Sequence, residues 1–102
     1  MITVDYVRTF ARYNRWQNEG LIALCATLDD ATLRADRGSF FGSIFATLNH
    51  LLWGDRIWLS RLDDWTPPEV GIPGSVGLCP TFAAWRADRV RADARLVSWA
   101  DG

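Results

Sequence analysis

The sequence predicts an all-α protein, an antiparallel up-down helical bundle, and three observations carry that prediction. Three segments repeat apolar residues at alternating intervals of three and four. A hydroxyl residue suited to capping a helix precedes each of them. No segment alternates apolar and polar residues as a half-buried strand would. At 102 residues the chain fits one domain, 1–102, with one core. A composition that is 49% hydrophobic and 23% charged excludes the disordered class.

Thr3 is a suitable first cap. Behind it Val7, Phe10, Asn14, Gln17, Leu21, Leu24 and Leu28 mark one face of a helix over about 4 to 28. The stretch DDATLRADRGS breaks this pattern and offers Ser39 as a second cap. Phe41, Phe45, Leu48, Leu52, Leu59 and Leu62 then predict a helix over about 40 to 63. DDWTPPEVGIPGSVGLCP holds all 4 prolines of the chain and reads as an extended loop. Thr81 caps a third helix, in which Phe82, Trp85, Leu96 and Trp99 hold one face. Arg86, Asp88, Arg91, Asp93 and Arg95 fall largely off that face.

Charge narrows the function classes. A formal net charge of -1 lacks the positive excess that phosphate-backbone binding requires, so no nucleic-acid partner is expected. All 11 basic residues are Arg, which biased codon usage explains better than a preference for guanidinium forks. MITVDYVRTFARYNRW is no secretory signal, and no apolar run approaches the length of a membrane span. A cytoplasmic protein without a membrane partner is the expectation. Cys25 and Cys79 stand far apart, outside any C-x-x-C arrangement, and are expected to be reduced thiols.

Four polar residues interrupt the apolar faces. TLNHLLWGDRIWL carries His50, the one histidine of the chain, at the flank of its helix, and Asp55 near the centre of the apolar arc. On the first helix Asn14 and Gln17 take positions that the periodicity assigns to the core. If the first two helices run antiparallel, paired positions sum to about 68, which sets Asn14 level with Gly54 and Gln17 level with Leu51. The polar residues then form one layer and need mutual hydrogen bonds, water or an ion. Several roles are open on these grounds. His50 is a hydrogen-bonded structural residue or a metal ligand; Asp55 is an ion-pair partner of Arg12 or Arg15, or a working acid; Asn14 and Gln17 fix helix register. Most of the 6 tryptophans should be core or loop-packing residues rather than a ligand cage.

YNRWQN at 13–18, followed by FFGSIFATLNHLLWGDRIWLSRL, resembles the DinB family of four-helix-bundle proteins, which is also similar to metal-dependent thiol transferases. The resemblance spans nearly the whole chain and implies three helices of a DinB-like four-helix bundle. It implies that His50 matches the first of three histidine ligands to a divalent metal, zinc or nickel. Asp55 and Asn14 would orient ligands or substrate beside that metal, and Gln17 would complete the polar layer. The other two ligands form an H-x-x-x-H pair on a fourth helix, and no such pair follows Trp99. The site and the C-terminal part of the domain are therefore expected to be incomplete here. Two functions follow from the resemblance and the residues together. A completed bundle would be a metal-dependent thiol (S-)transferase or related hydrolase acting on a small thiol or electrophile, inactive as this short chain. Alternatively the chain is a non-enzymatic helical interaction module. Either way, the apolar groove of three helices predicts a homodimer or other self-association.

Overall fold

A computed structural model describes residues 3–38 and 41–102. The chain forms α1 (Val4–Cys25), a short α2 (Asp30–Arg34), α3 (Ile44–Leu62), a 3₁₀ helix (Ile72–Gly77) and α4 (Phe82–Asp101). No strand is present among the described residues. The all-α bundle that the periodicity predicts is the observed fold.

Each α-helix begins where a side-chain oxygen takes an amide that has no partner in the first turn. Thr3 accepts from the Tyr6 N–H at 3.1 Å, Asp29 from Thr32 at 2.7 Å, Ser43 from Ala46 at 3.0 Å and Thr81 from Ala84 at 3.1 Å. Thr3 and Thr81 are thus the caps that the sequence predicts. Ser39, the expected second cap, lies outside the described residues, and α3 starts behind Ser43. Gly42 takes φ +93°, a conformation open to glycine, and its carbonyl accepts from the Arg37 N–H at 2.7 Å. That turn delivers Ser43 to its capping position. At the other end of the connection α1 stops at Cys25 rather than near 28. The Thr27 hydroxyl donates to the Leu24 carbonyl at 2.6 Å, and the tightened turn tucks Leu28 against the core. The expected break at 29–39 itself contains α2, which buries Leu33.

α4 occupies the middle of the bundle and packs against both α1 and α3, whereas α1 and α3 have at most marginal contact with each other. Early residues of α1 meet late residues of α4: Arg12 pairs with Asp101, and Asn18 with Asp93. These helices run antiparallel. Along α3 and α4 the positions rise together, from Leu48 with Trp85 through Asp55 with Arg89 to Asp63 with Arg95. These two helices are parallel, so the up-down order holds between α1 and α3 but not between α3 and α4. The physical reason is the connection 63–81, which is long enough to carry the chain back along the bundle before α4 begins.

The core lies chiefly between α3 and α4, where Leu52, Leu59 and Trp85 are at most 2% exposed. α1 joins it through Ile22 and Cys25, while its Ala11 packs with Val97 and Ala100 of α4 in a second cluster and its buried Asn18 bonds Asp93. This corrects the predicted core face of the first helix. The stripe containing Phe10, Leu21 and Leu24 is real, but it lies one position off the stripe that meets α4, and it is uncovered.

Candidate functional site

Because α4 stands between α1 and α3, the space across its surface is an open cleft. One lobe, about 550 Å³, is lined by Asn14, Gln17 and Leu21 of α1 and by Leu51 of α3. A second lobe, about 200 Å³, continues along Phe10, Trp58 and Leu62. Asp55 and Arg89 border both lobes and mark the midpoint. Asn14 and Gln17 line the same lobe as Leu51 and Asp55. They are not buried in it. Asn14 is half-buried, and Gln17 is exposed with its side-chain amide donating to the Tyr13 hydroxyl at 3.2 Å.

Below the cleft lies a buried ionic network that the sequence reading places elsewhere. Arg89, 3% exposed, donates from Nε and Nη2 to Asp93 Oδ1 at 3.1 and 2.8 Å, and from Nη2 to Asp55 Oδ2 at 2.5 Å. Asn18 donates to the same Asp93 oxygen at 3.0 Å. Asp55 therefore pairs with Arg89, not with Arg12 or Arg15, which are held by Asp101 and Glu19. Its side chain is 40% exposed at the cleft floor rather than sealed at the centre of the apolar arc. Asp93, expected off the core face, is 2% exposed. The signal for this network was available: Trp85, Arg89, Ala92 and Leu96 recur at four, three and four, so Arg89 stands on the apolar stripe of α4 and requires buried partners.

One guanidinium faces two carboxyl groups. Burial pushes the Asp93 carboxyl above the usual range, and Arg89 offsets this only in part. Asp55 Oδ1 has no hydrogen bond among the described residues and remains available to a donor entering the cleft. Among the described residues no serine, cysteine or histidine lines either lobe, and the carboxylate that does is Asp55.

His50 stands apart from this cleft. Its Nδ1 lies 2.9 Å from Ser75 Oγ of the 3₁₀ helix, and its ring stacks on Phe41 at 4.1 Å and Trp53 at 5.9 Å between centroids. Beside it, Asn49 is fully buried and ties the 63–81 connection to α3. Asn49 donates to the Val76 and Cys79 carbonyls and accepts from the Cys79 N–H, each at 3.1 Å. Trp53 adds a bond to the Val70 carbonyl at 2.7 Å. Sequence reasoning fixed on His50 and passed over its neighbour, because periodicity cannot say which polar residue a loop will cover. Among the described residues no group of three or more His, Cys, Asp or Glu side chains could hold a metal ion. The donor set present beside His50 does not fit a divalent metal site.

Both cysteines are free and buried. Burial pushes the Cys79 thiol up to about 11, helped by the adjacent Asp88 carboxylate, and raises Cys25 as well. Neither is poised as a thiolate. No described helix is long and apolar enough to cross a membrane.

The sequence model of the DinB family matches residues 1–89. This chain belongs to the DinB family. No curated protein and no solved structure gives a significant match. The DinB match covers α1 through the first part of α4, including the walls of the cleft and both members of the Asp55–Arg89 pair.

Proposed function

We propose that this DinB-family chain is a helical interaction module that self-associates through the cleft between α1 and α3. The observation that supports it is the exposure of large apolar side chains on both cleft walls, with Phe10 at 56%, Leu24 at 62% and Trp58 at 60%. An apolar surface of this extent, rimmed by polar groups, is a mark of an association site. The cleft is open and carries large apolar side chains on both walls, which suits a partner helix. Light scattering at tens of micromolar should give a mass above one chain, and Trp58→Glu should return it to one chain. A wild-type monomer, or a Trp58→Glu variant that stays associated, overturns the reading.

Family membership favours a second reading, metal-dependent thiol transfer, in which His50 is one ligand of a divalent zinc or nickel site. That reading requires the remaining ligands to come from outside the described residues. Metal content of the untagged wild type and of His50→Ala, measured side by side, separates the two. Near-stoichiometric metal lost in the variant favours transfer chemistry, and equal trace amounts in both favour the module.

A further inference from the structure

His50 stands where the family resemblance implies a metal ligand, and the structure engages it otherwise. Its ring stacks on Phe41 and Trp53, and its Nδ1 meets Ser75 Oγ at 2.9 Å. Ser75 is fully buried, and this contact is the one hydrogen bond its hydroxyl makes among the described residues. Neighbouring positions of α3 hold the same connection by its backbone: Trp53 bonds Val70, and Asn49 bonds Val76 and Cys79.

Counting protons fixes the polarity of the His50–Ser75 bond. A serine hydroxyl carries one proton and needs an acceptor for it, and a neutral imidazole has one N–H and one lone pair. If Nδ1–H donated to Oγ, the Ser75 proton would be buried with no acceptor, which disfavours that tautomer by about tenfold or more. If Oγ donates instead, Nδ1 accepts through its lone pair and the buried hydroxyl is satisfied. The imidazole proton then sits on Nε2, which has no hydrogen bond among the described residues.

We infer that Ser75 holds His50 in the tautomer protonated at Nε2, which makes this histidine a pin for the 63–81 connection and takes it out of metal ligation. A ligating imidazole gives a lone pair to the metal and donates its other N–H to an acceptor. His50 has the reverse arrangement, with its lone pair engaged by a buried hydroxyl and its proton on the free nitrogen. Ser75 blocks Nδ1. Ligation through Nε2 requires the proton to move to Nδ1, and the Ser75 hydroxyl then loses its acceptor. Turning the ring away from Ser75 disrupts the stacks on Phe41 and Trp53. The chain thus departs from the role that the resemblance implies at this position, on grounds that do not depend on the other ligands. The inference is independent of self-association through the cleft and counts against the thiol-transfer reading.

The chain has 1 histidine, so long-range proton–nitrogen correlation on the full, untagged, nitrogen-15-labelled protein reads its ring without ambiguity. The measurement belongs at about pH 8, above the ordinary histidine range, after treatment with a chelator. Nε2 should be the protonated nitrogen and Nδ1 the one with the lone pair. One equivalent of zinc chloride should leave both signals in place. Ser75→Ala, shown to be folded by circular dichroism, should draw the two nitrogen signals toward each other, the mark of exchange between tautomers. A proton on Nδ1 in the metal-free wild type overturns the inference. So does a stoichiometric zinc-bound form with the proton on Nδ1, and so does an unchanged wild-type pattern in folded Ser75→Ala. If that variant does not fold, the two wild-type spectra decide.

Discussion

Two faces of α3 show what closes an apolar surface and what leaves one open. On one side, Leu52 and Leu59 share one buried core with Trp85 of α4, and the 63–81 connection folds back over Asn49 and His50 and hydrogen-bonds both. On the other side, Leu51 and Trp58 are just as apolar and regularly spaced, yet they stand 52% and 60% exposed. The difference is not hydrophobicity. The closed face has a covalently attached neighbour whose backbone can be satisfied by Asn49. The open face has no such neighbour among the described residues, so its apolar stripe meets water. An apolar stripe therefore specifies burial, and the connectivity specifies by what.

The contrast can be tested from its strongest term downward. Trp85→Ala removes a 1% exposed side chain whose indole N–H bonds the Leu48 carbonyl at 3.0 Å. It should cost about 3 to 5 kcal/mol in urea unfolding. A loss under about 1 kcal/mol would show that the closed half is not the core.

Arg89→Met should cost about 3 kcal/mol at neutral pH, because it leaves the Asp93 carboxylate buried without its cation. Here the sign is informative. Burial raises the Asp93 pKa, so the native state takes up its proton before the unfolded chain does. This penalty is absent below the unfolded pKa and grows as pH rises through the folded one. The difference between variant and wild type should therefore shrink toward about pH 4, the ordinary carboxylate range. An equal difference at both pH values would mean that Asp93 is not the group left unpaired.

Asn49→Ala should cost about 2 kcal/mol and release the 63–81 connection, since it leaves the Cys79 N–H without its acceptor. Hydrogen exchange at the Cys79 amide should accelerate while amides in the middle of α1 keep their protection. In the wild type, Cys79 should react with a thiol reagent only as fast as the protein opens, since its pKa is pushed up to about 11. Prompt labelling in the folded state would contradict that burial. The smallest effect belongs to the open face. Trp58→Glu should change monomer stability by no more than about 0.5 kcal/mol, because its side chain already meets water. Its whole consequence should appear in the solution mass.

The sequence by itself determined the three long helices, the caps at Thr3 and Thr81, and the apolar stripes of α1, α3 and α4, but not α2 or the 3₁₀ helix. These follow from side-chain spacing on a helix of fixed pitch and from hydrogen bonds within one turn, which are local physics. It also showed the DinB resemblance, which the family match over residues 1–89 bears out. What only the tertiary structure decided is which stripe meets which neighbour. It turned the Phe10 and Leu24 face outward, buried Arg89 and Asp93 beneath the cleft, gave Asp55 the partner Arg89, and set Asn49 rather than His50 at the centre of the loop contact. Each of those depends on the direction of α4, and that direction is set by how a long connection crosses the bundle, which periodicity along the chain does not record.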